Sequence, residues 1–391
     1  MSDPKIQLLE WLDTQEAAML DLLRALVGID SSSRDKAGVD AVGAHLTRLF
    51  AEAGIAVETL PLEEVGNVLR ARIGANAGRP VMLLGHRDTV FPKGETHRRP
   101  FRIEDGRALG PGVCDMKGGL VLNAFVLLAL KRFFGDRLAV DMVTTGDEEI
   151  GSPHSRTLIR RLARDASAVF NSEPARPNGN LVNARRGGGV IIIDVYGKAA
   201  HSGGAFADGI SAIEEMARKI VALHALSDVA AGYTVNVGVV EGGEAHNTIA
   251  PHCRARMDYR FVTHEQRDML MRLIDEIVTT AHVPGTRAEL TIEAEFLPMA
   301  RDAGSDRLLA AYQAAAEAVG FSVDAEFTGG CADSGFTASE GCPTLCATGP
   351  MGWQAHTPDE FLEIDSLVPR TKALALAVIN LLETEVAHDP V

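Results

Sequence analysis

Apolar residues recur at helical spacing over residues 6–29, where Leu8, Leu9, Leu12, Leu20, Leu23, Leu26 and Val27 are set among acidic positions. That pattern predicts an amphipathic N-terminal helix. A second is expected over residues 41–53, closed by Gly54. Short β-rich runs follow at residues 55–60, 67–73 and 81–84, then an apolar helical stretch at 118–134 and a strand-like run at 138–145. Helices alternating with buried strands predict an α/β domain with helices on both faces of its sheet.

The texture changes after Arg186. Strand-like runs at 190–196, 233–240, 253–261 and 288–296 alternate with helical stretches at 208–226 and 263–281. The order β-α-β-β-α-β is the ferredoxin-like split arrangement. Beyond Pro298 the earlier pattern resumes, with a helix over 306–319, a strand over 344–347 and a last helix over 366–383. The economical division is a catalytic domain in two parts, residues 1–186 and 298–391, interrupted by an inserted domain of residues 187–297.

Composition narrows the functional classes. Of 391 residues 46 % are hydrophobic and 23 % charged, which requires a buried core and excludes a disordered chain. With 38 Lys and Arg against 53 Asp and Glu, the formal charge is −15; such a field argues against nucleic acid or a membrane surface as partner. The apolar stretch 120–130 spans about 16 Å as a helix, short of a membrane core, and reads as a buried helix. Five scattered cysteines, an odd number, suit a reducing compartment. With no basic, apolar leader after Met1, the expected location is cytoplasmic.

Candidate chemistry collects where strands end. His86 and Asp88 follow the run 81–84, and Asp115 lies on the Gly-rich loop Gly110-Pro111-Gly112-Val113-Cys114-Asp115-Met116-Lys117-Gly118-Gly119. Asp147, Glu148 and Glu149 follow 138–143, Glu173 follows the run 168–170, and His356 follows 344–347. Ligands of α/β sheets gather at such ends. Two imidazoles and three carboxylates suit two divalent ions with one carboxylate bridging, and they favour zinc, with cobalt or manganese as alternatives. Two ions roughly 3.5–4 Å apart activate water for hydrolysis of an amide, ester or phosphate. Adjacent carboxylates can divide the work, one ligating and its neighbour moving protons. Cys331, Cys342 and Cys346 are poorly spaced for a thiolate site, and Asp333-Ser334-Gly335 is not the serine-hydrolase elbow.

Three motifs, Gly85-His86-x-Asp88-Thr89-Val90, the Gly110–Gly119 loop and Asp147-Glu148-Glu149-x-Gly151-Ser152, resemble those of the M20 metallopeptidases. Among these the carboxypeptidase G2-like glutamate carboxypeptidases are nearest, with aminoacylases and biosynthetic deacylases as relatives. The resemblance implies a mixed-sheet zinc-peptidase domain carrying an inserted α+β lid and dimerisation domain. It implies two zinc ions per chain, one on His86, Asp115 and Glu173 and a second on Asp115, Glu149 and His356. Asp115 would bridge, through a cis peptide to Met116; Asp88 would orient His86, and Glu148 would be the general base. Gly197-Lys198-Ala199-Ala200-His201-Ser202-Gly203 matches the family segment whose histidine serves the partner subunit's site, which makes a homodimer the expected assembly. Asn247 and Arg260 match lid positions that hold the substrate carboxylate. Glutamate-releasing members carry Arg-Pro where the chain leaves the lid; here Leu297 precedes Pro298, with Arg301 a helical turn away as a substitute. The expected reaction is hydrolysis of the amide bond to a C-terminal amino acid (glutamate or aspartate among the candidates) in a dipeptide or N-acyl amino acid. A deacylase of amino-acid metabolism is the alternative; a silent metal-binding homologue is a third reading, disfavoured by an intact Glu148.

Overall fold

The apolar runs of the catalytic part lie side by side in an eight-stranded mixed sheet of the computed structural model, which describes residues 3–388. The order across the sheet is Ala56–Leu60, Val68–Ile73, Val140–Thr145, Val81–His86, Ala168–Asn171, Thr344–Cys346, Leu181–Arg185 and Ala325–Thr328. The four middle strands, Val140–Thr145 through Thr344–Cys346, run parallel. They are buried at every position, as parallel strands covered on both faces must be. Alternation divides the two faces. Val81, Leu83, Val140, Met142, Ala168 and Phe170 join the main core with the helices Gly118–Phe134 and Leu367–His388. Met82, Leu84, Val143 and Val169 are equally buried and point the other way. The helices Arg156–Asp165 and Ser334–Ser339 pack on each other, and the latter also packs on the strands Ala168–Asn171 and Thr344–Cys346. Each fully buried Val or Leu contributes about 1.5–3 kcal/mol relative to exposure.

Three local expectations are corrected. The helix expected over 6–29 is two helices, Pro4–Asp13 and Glu16–Val27: Thr14 turns the chain out, its hydroxyl donating back to the Trp11 carbonyl at 2.7 Å. The next helix starts earlier, at Lys36, because Asp35 caps it by accepting from the Gly38 amide. A small antiparallel sheet of Gly352–Trp353, Phe361–Glu363, Arg107–Leu109 and Arg102–Glu104 was not anticipated; its outer strand is exposed at all three positions and carries no apolar period.

By its internal contacts the chain forms two units, Met1–Ala184 with Arg301–Thr328 and Ala332–Val391, and Arg185–Ala300 with Gly329–Cys331. The second unit is a four-stranded antiparallel sheet in the order Thr234–Gly242, His252–Phe261, Gly187–Tyr196, Arg287–Phe296. With the helices Ala212–His224 and His264–Thr279 the chain order is β-α-β-β-α-β. Ile191, Ile193, Val195, Met216, Leu223, Leu270 and Ile274 form its own core. Ser211 and Thr263 cap the two helices through their side chains, so the first begins at Ala212 rather than at 208.

Candidate metal centre

Because the middle strands are parallel, their C-terminal ends share one edge of the sheet, and the chain loads that edge with side chains able to ligate a metal. His86 is the last residue of its strand, Glu148 and Glu149 follow Val140–Thr145, and Glu173 follows Ala168–Asn171. Asp115 comes from the turn Val113–Lys117 just before the helix Gly118–Phe134, and the peptide Asp115–Met116 is cis. Gly119 permits the close seating of that helix: a Cβ there would lie 1.9 Å from the Ser172 carbonyl oxygen. His356 sits at φ 66°, left-handed for a residue with a Cβ, and Gln354 beside it at φ 58°. Such backbone concentrates at functional loops.

Asp115 stands between the two imidazoles. His86 Nε2 is 3.1 Å from Asp115 Oδ1 and 3.8 Å from Glu173 Oε1. His356 Nε2 is 3.2 Å from Asp115 Oδ2 and 3.0 Å from Glu149 Oε2. The donors thus fall into two groups with Asp115 common to both. The groups are contiguous, since His86, Asp115 and Glu149 each offer an atom within 4.8 Å of the others.

The carboxyls and imidazoles of this cluster shift one another's proton affinities. Burial pushes the Glu148 carboxyl well above its usual range, and Glu173, Asp333 and Glu149 add to that against His86. Burial and Asp115 push Glu149 up to about 7. Hydrogen bonds to Asp115 and Glu149 raise His356 to about 10. Burial pulls His86 down, but Asp115 and Asp88 outweigh it and leave the ring well above its ordinary value. Both imidazoles are thus held above their ordinary range by the carboxylates around them. Nitrogen and carboxylate donors in this arrangement fit zinc, cobalt or manganese.

Asp88 differs in detail from the expectation. His86 Nδ1 lies 3.1 Å from the Asp88 carbonyl oxygen and 3.4 Å from its carboxylate Oδ1. The carbonyl is therefore the nearer orienting partner, a role a backbone oxygen fills as well as a carboxylate. The carboxylate accepts from the amides of Glu148 at 3.2 Å and Glu149 at 3.1 Å and from the Ser33 hydroxyl at 2.6 Å. Asp88 thus fixes the His86 ring and the backbone of the paired glutamates together. Of three further supporting residues, Glu360 and Asp333 had no sequence signal, whereas Asp147 belongs to the acidic run after 138–143. Glu360, buried, accepts from the amides of Gly112, Cys114 and Asp115 at 2.8–2.9 Å. Asp147 accepts from the amides of His154 and Ser155 and from the Ser155 hydroxyl. Asp333 accepts from the hydroxyls of Thr145 and Ser152.

Residues 82–380 match the family model described as peptidase family M20/M25/M40. The chain belongs to this family. It is 27 % identical to carboxypeptidase G2 of Pseudomonas sp. (strain RS-16), over 93 % of this chain and 89 % of that protein. It is 29 % identical to the acetylornithine deacetylase of Edwardsiella ictaluri (strain 93-146), over 94 % and 99 %. In fold it is similar to a tripeptidase from Staphylococcus aureus, with a TM-score of 0.78 at 23 % identity, over 94 % and 99 % of the two chains. This M20 chain is accordingly a metal-dependent hydrolase.

The remaining candidates of the M20 chain lie away from these donors in the sequence. His201, Asn247 and Arg260 belong to the second unit. The segments of His201 and Asn247 pair: the Ser202 amide donates to the Asn247 carbonyl at 2.9 Å, and His201 bridges Thr248. The exposed His201 ring accepts at Nδ1 from the amides of Gly203 and Gly204, at 3.1 and 3.0 Å. An Nδ1 that accepts leaves the proton on Nε2. Arg260 is forked onto Asp258 at 2.9 and 2.6 Å and reaches Cys331 Sγ at 2.9 Å through Nη1. Gly188 makes room for it, since a Cβ there would come within 2.6 Å of Arg260 Cδ. Arg301 lies in the first unit, exposed, with its Nε 2.7 Å from Asp306 Oδ1.

Proposed function

We propose that this M20 hydrolase is a two-metal amidohydrolase that releases a C-terminal amino acid from dipeptides or N-acyl amino acids. The observation that carries the reading is Asp115 placed between His86 and His356, with the buried Glu148 carboxyl on the adjoining loop. His86, Asp115 and Glu173 would hold one ion, and Asp115, Glu149 and His356 the other. Zinc is the expected metal, and cobalt or manganese fits the same donors. When bound, the two ions polarise the amide carbonyl and lower the pKa of the attacking water.

The chain's own groups do the rest. Glu148 accepts a proton from the attacking water as its oxygen bonds to the carbonyl carbon. It then returns that proton to the leaving nitrogen as the C–N bond breaks. Asp88 keeps Glu148 in place through the backbone. His201 donates through Nε2–H to the developing oxyanion, and Asn247 and Arg260 hold the carboxylate of the departing amino acid.

In this reading the protein works as a homodimer, with His201 of one protomer serving the site of the other. Exposure of His201 agrees with that, as does the strand Thr234–Gly242 at the edge of its sheet with Val239 and Val240 exposed. The setting is reducing and cytoplasmic, supported by five free cysteines. A second reading, N-acyl-amino-acid deacylase, is favoured by Leu297 in place of the arginine of glutamate-releasing members and by likeness to acetylornithine deacetylase. A release assay over N-acyl amino acids and dipeptides, run with zinc and after chelation, tests the proposal. Metal-dependent liberation of a free amino acid supports it, and its absence across the panel contradicts it.

A further inference from the structure

Six residues, Gly146 to Gly151, form the loop that carries Glu148 and Glu149, and the residues on either side of it are tied to one buried side chain. Thr145, the last residue of the strand Val140–Thr145, donates its hydroxyl to Asp333 Oδ2 at 3.2 Å. Ser152, at φ 49°, donates its hydroxyl to Asp333 Oδ1. Thr145 and Ser152 have no exposed surface, and Asp333 is 2 % exposed. Asp333 reaches this position from far along the chain, at the start of the short helix Ser334–Ser339.

We propose that Asp333 is a positioning residue for Glu148, clamping both ends of the base-bearing loop through Thr145 and Ser152. Asp88 holds the middle of the loop by the amides of Glu148 and Glu149. With the two ends and the middle fixed, the loop has few ways to relax, and the Glu148 carboxylate is presented in one place. Carboxyl geometry matters here more than charge. An asparagine at this position still accepts one hydroxyl, and its amide donates to the other, because a hydroxyl can accept as well as donate. An alanine releases both ends.

The inference rests on Glu148 being the base, so the test carries Glu148→Gln as a separate arm. Asp333→Ala, Asp333→Asn, Ser152→Ala and the double variant Asp333→Ala/Ser152→Ala are compared for kcat, KM, bound metal and thermal midpoint. A displaced catalytic group lowers kcat by about 10- to 100-fold. That loss is expected for Asp333→Ala, with KM and metal content near wild type. Asp333→Asn should recover kcat to within about threefold, and the double variant should be no slower than Asp333→Ala alone, as groups acting in one unit are not additive. Ser152→Ala removes one tie without touching the carboxyl, and should lower kcat alone if Asp333→Ala proves too unstable to purify. The clamp is overturned if Asp333→Ala or Ser152→Ala keeps full kcat, if the loss follows metal content, or if asparagine rescues nothing. Full turnover in Glu148→Gln would instead remove the base assignment itself.

Discussion

Glu360 accepts the amide of Asp115 at 2.9 Å, and the same carboxylate takes the amides of Gly112 and Cys114. A single buried side chain thereby shapes the loop that carries Asp115, the proposed shared ligand. Burial pushes Glu360 up to about 7 against the pull of those amides. Supporting contacts of this kind are worth about 10- to 100-fold in metal affinity when removed elsewhere. Glu360→Ala is expected to lose metal by about that factor on dialysis, measured by elemental analysis against a chelator series. Unchanged retention would show that the Asp115 loop holds its shape without Glu360.

Proton competition sets the pH dependence of metal binding. His86 and His356 are both raised above the ordinary imidazole range by the carboxylates around them, which strengthens their hold on protons. A metal must displace those protons, and acid opposes binding. Apparent affinity should fall as pH drops from about 8 to about 6, with proton release visible by calorimetry in buffers of different ionisation enthalpy. Binding without proton release, equally tight across that range, would contradict the ligand roles of the two histidines.

Cross-subunit use of His201 makes a quantitative prediction. Neither His201→Ala nor Glu148→Ala supports turnover alone, but a mixed dimer contains one site with an intact Glu148 and a partner's intact His201. Equal mixing with free subunit exchange should restore about a quarter of wild-type activity. No recovery despite exchange seen by mass spectrometry would place His201 outside the partner's site.

Substrate choice is expected to follow Leu297. Leu297→Arg supplies the charge that glutamate-releasing relatives carry before the proline, and should raise kcat/KM for glutamate conjugates over neutral ones by about tenfold or more. The ratio of rates on paired substrates checks this. An unchanged ratio would remove residue 297 as a determinant.

Much of the fold was legible because buried strands announce themselves. Val81–His86 and Val140–Thr145 are runs in which nearly every side chain is apolar or small. The candidate ligands at their ends are legible for the same reason, being polar directly after such runs. Glu360 and Asp333 were not legible. Each is a carboxyl indistinguishable in sequence from one on a solvated turn until the fold closes amides or hydroxyls over it. The break at Thr14 was hidden too, since neither glycine nor proline marks it and the leucine spacing continues past it. The carbonyl of Asp88, the nearer partner of His86, is a main-chain atom and has no sequence signature.

The most direct measurement pairs metal content with turnover in Glu148→Gln. Glutamine keeps the size of the side chain and removes its capacity to carry the proton. If Glu148 is the base beside a two-metal centre, the variant binds about two ions per chain like the wild type while kcat falls by about 100- to 10,000-fold. Turnover within a few-fold of wild type at full metal occupancy would contradict that role.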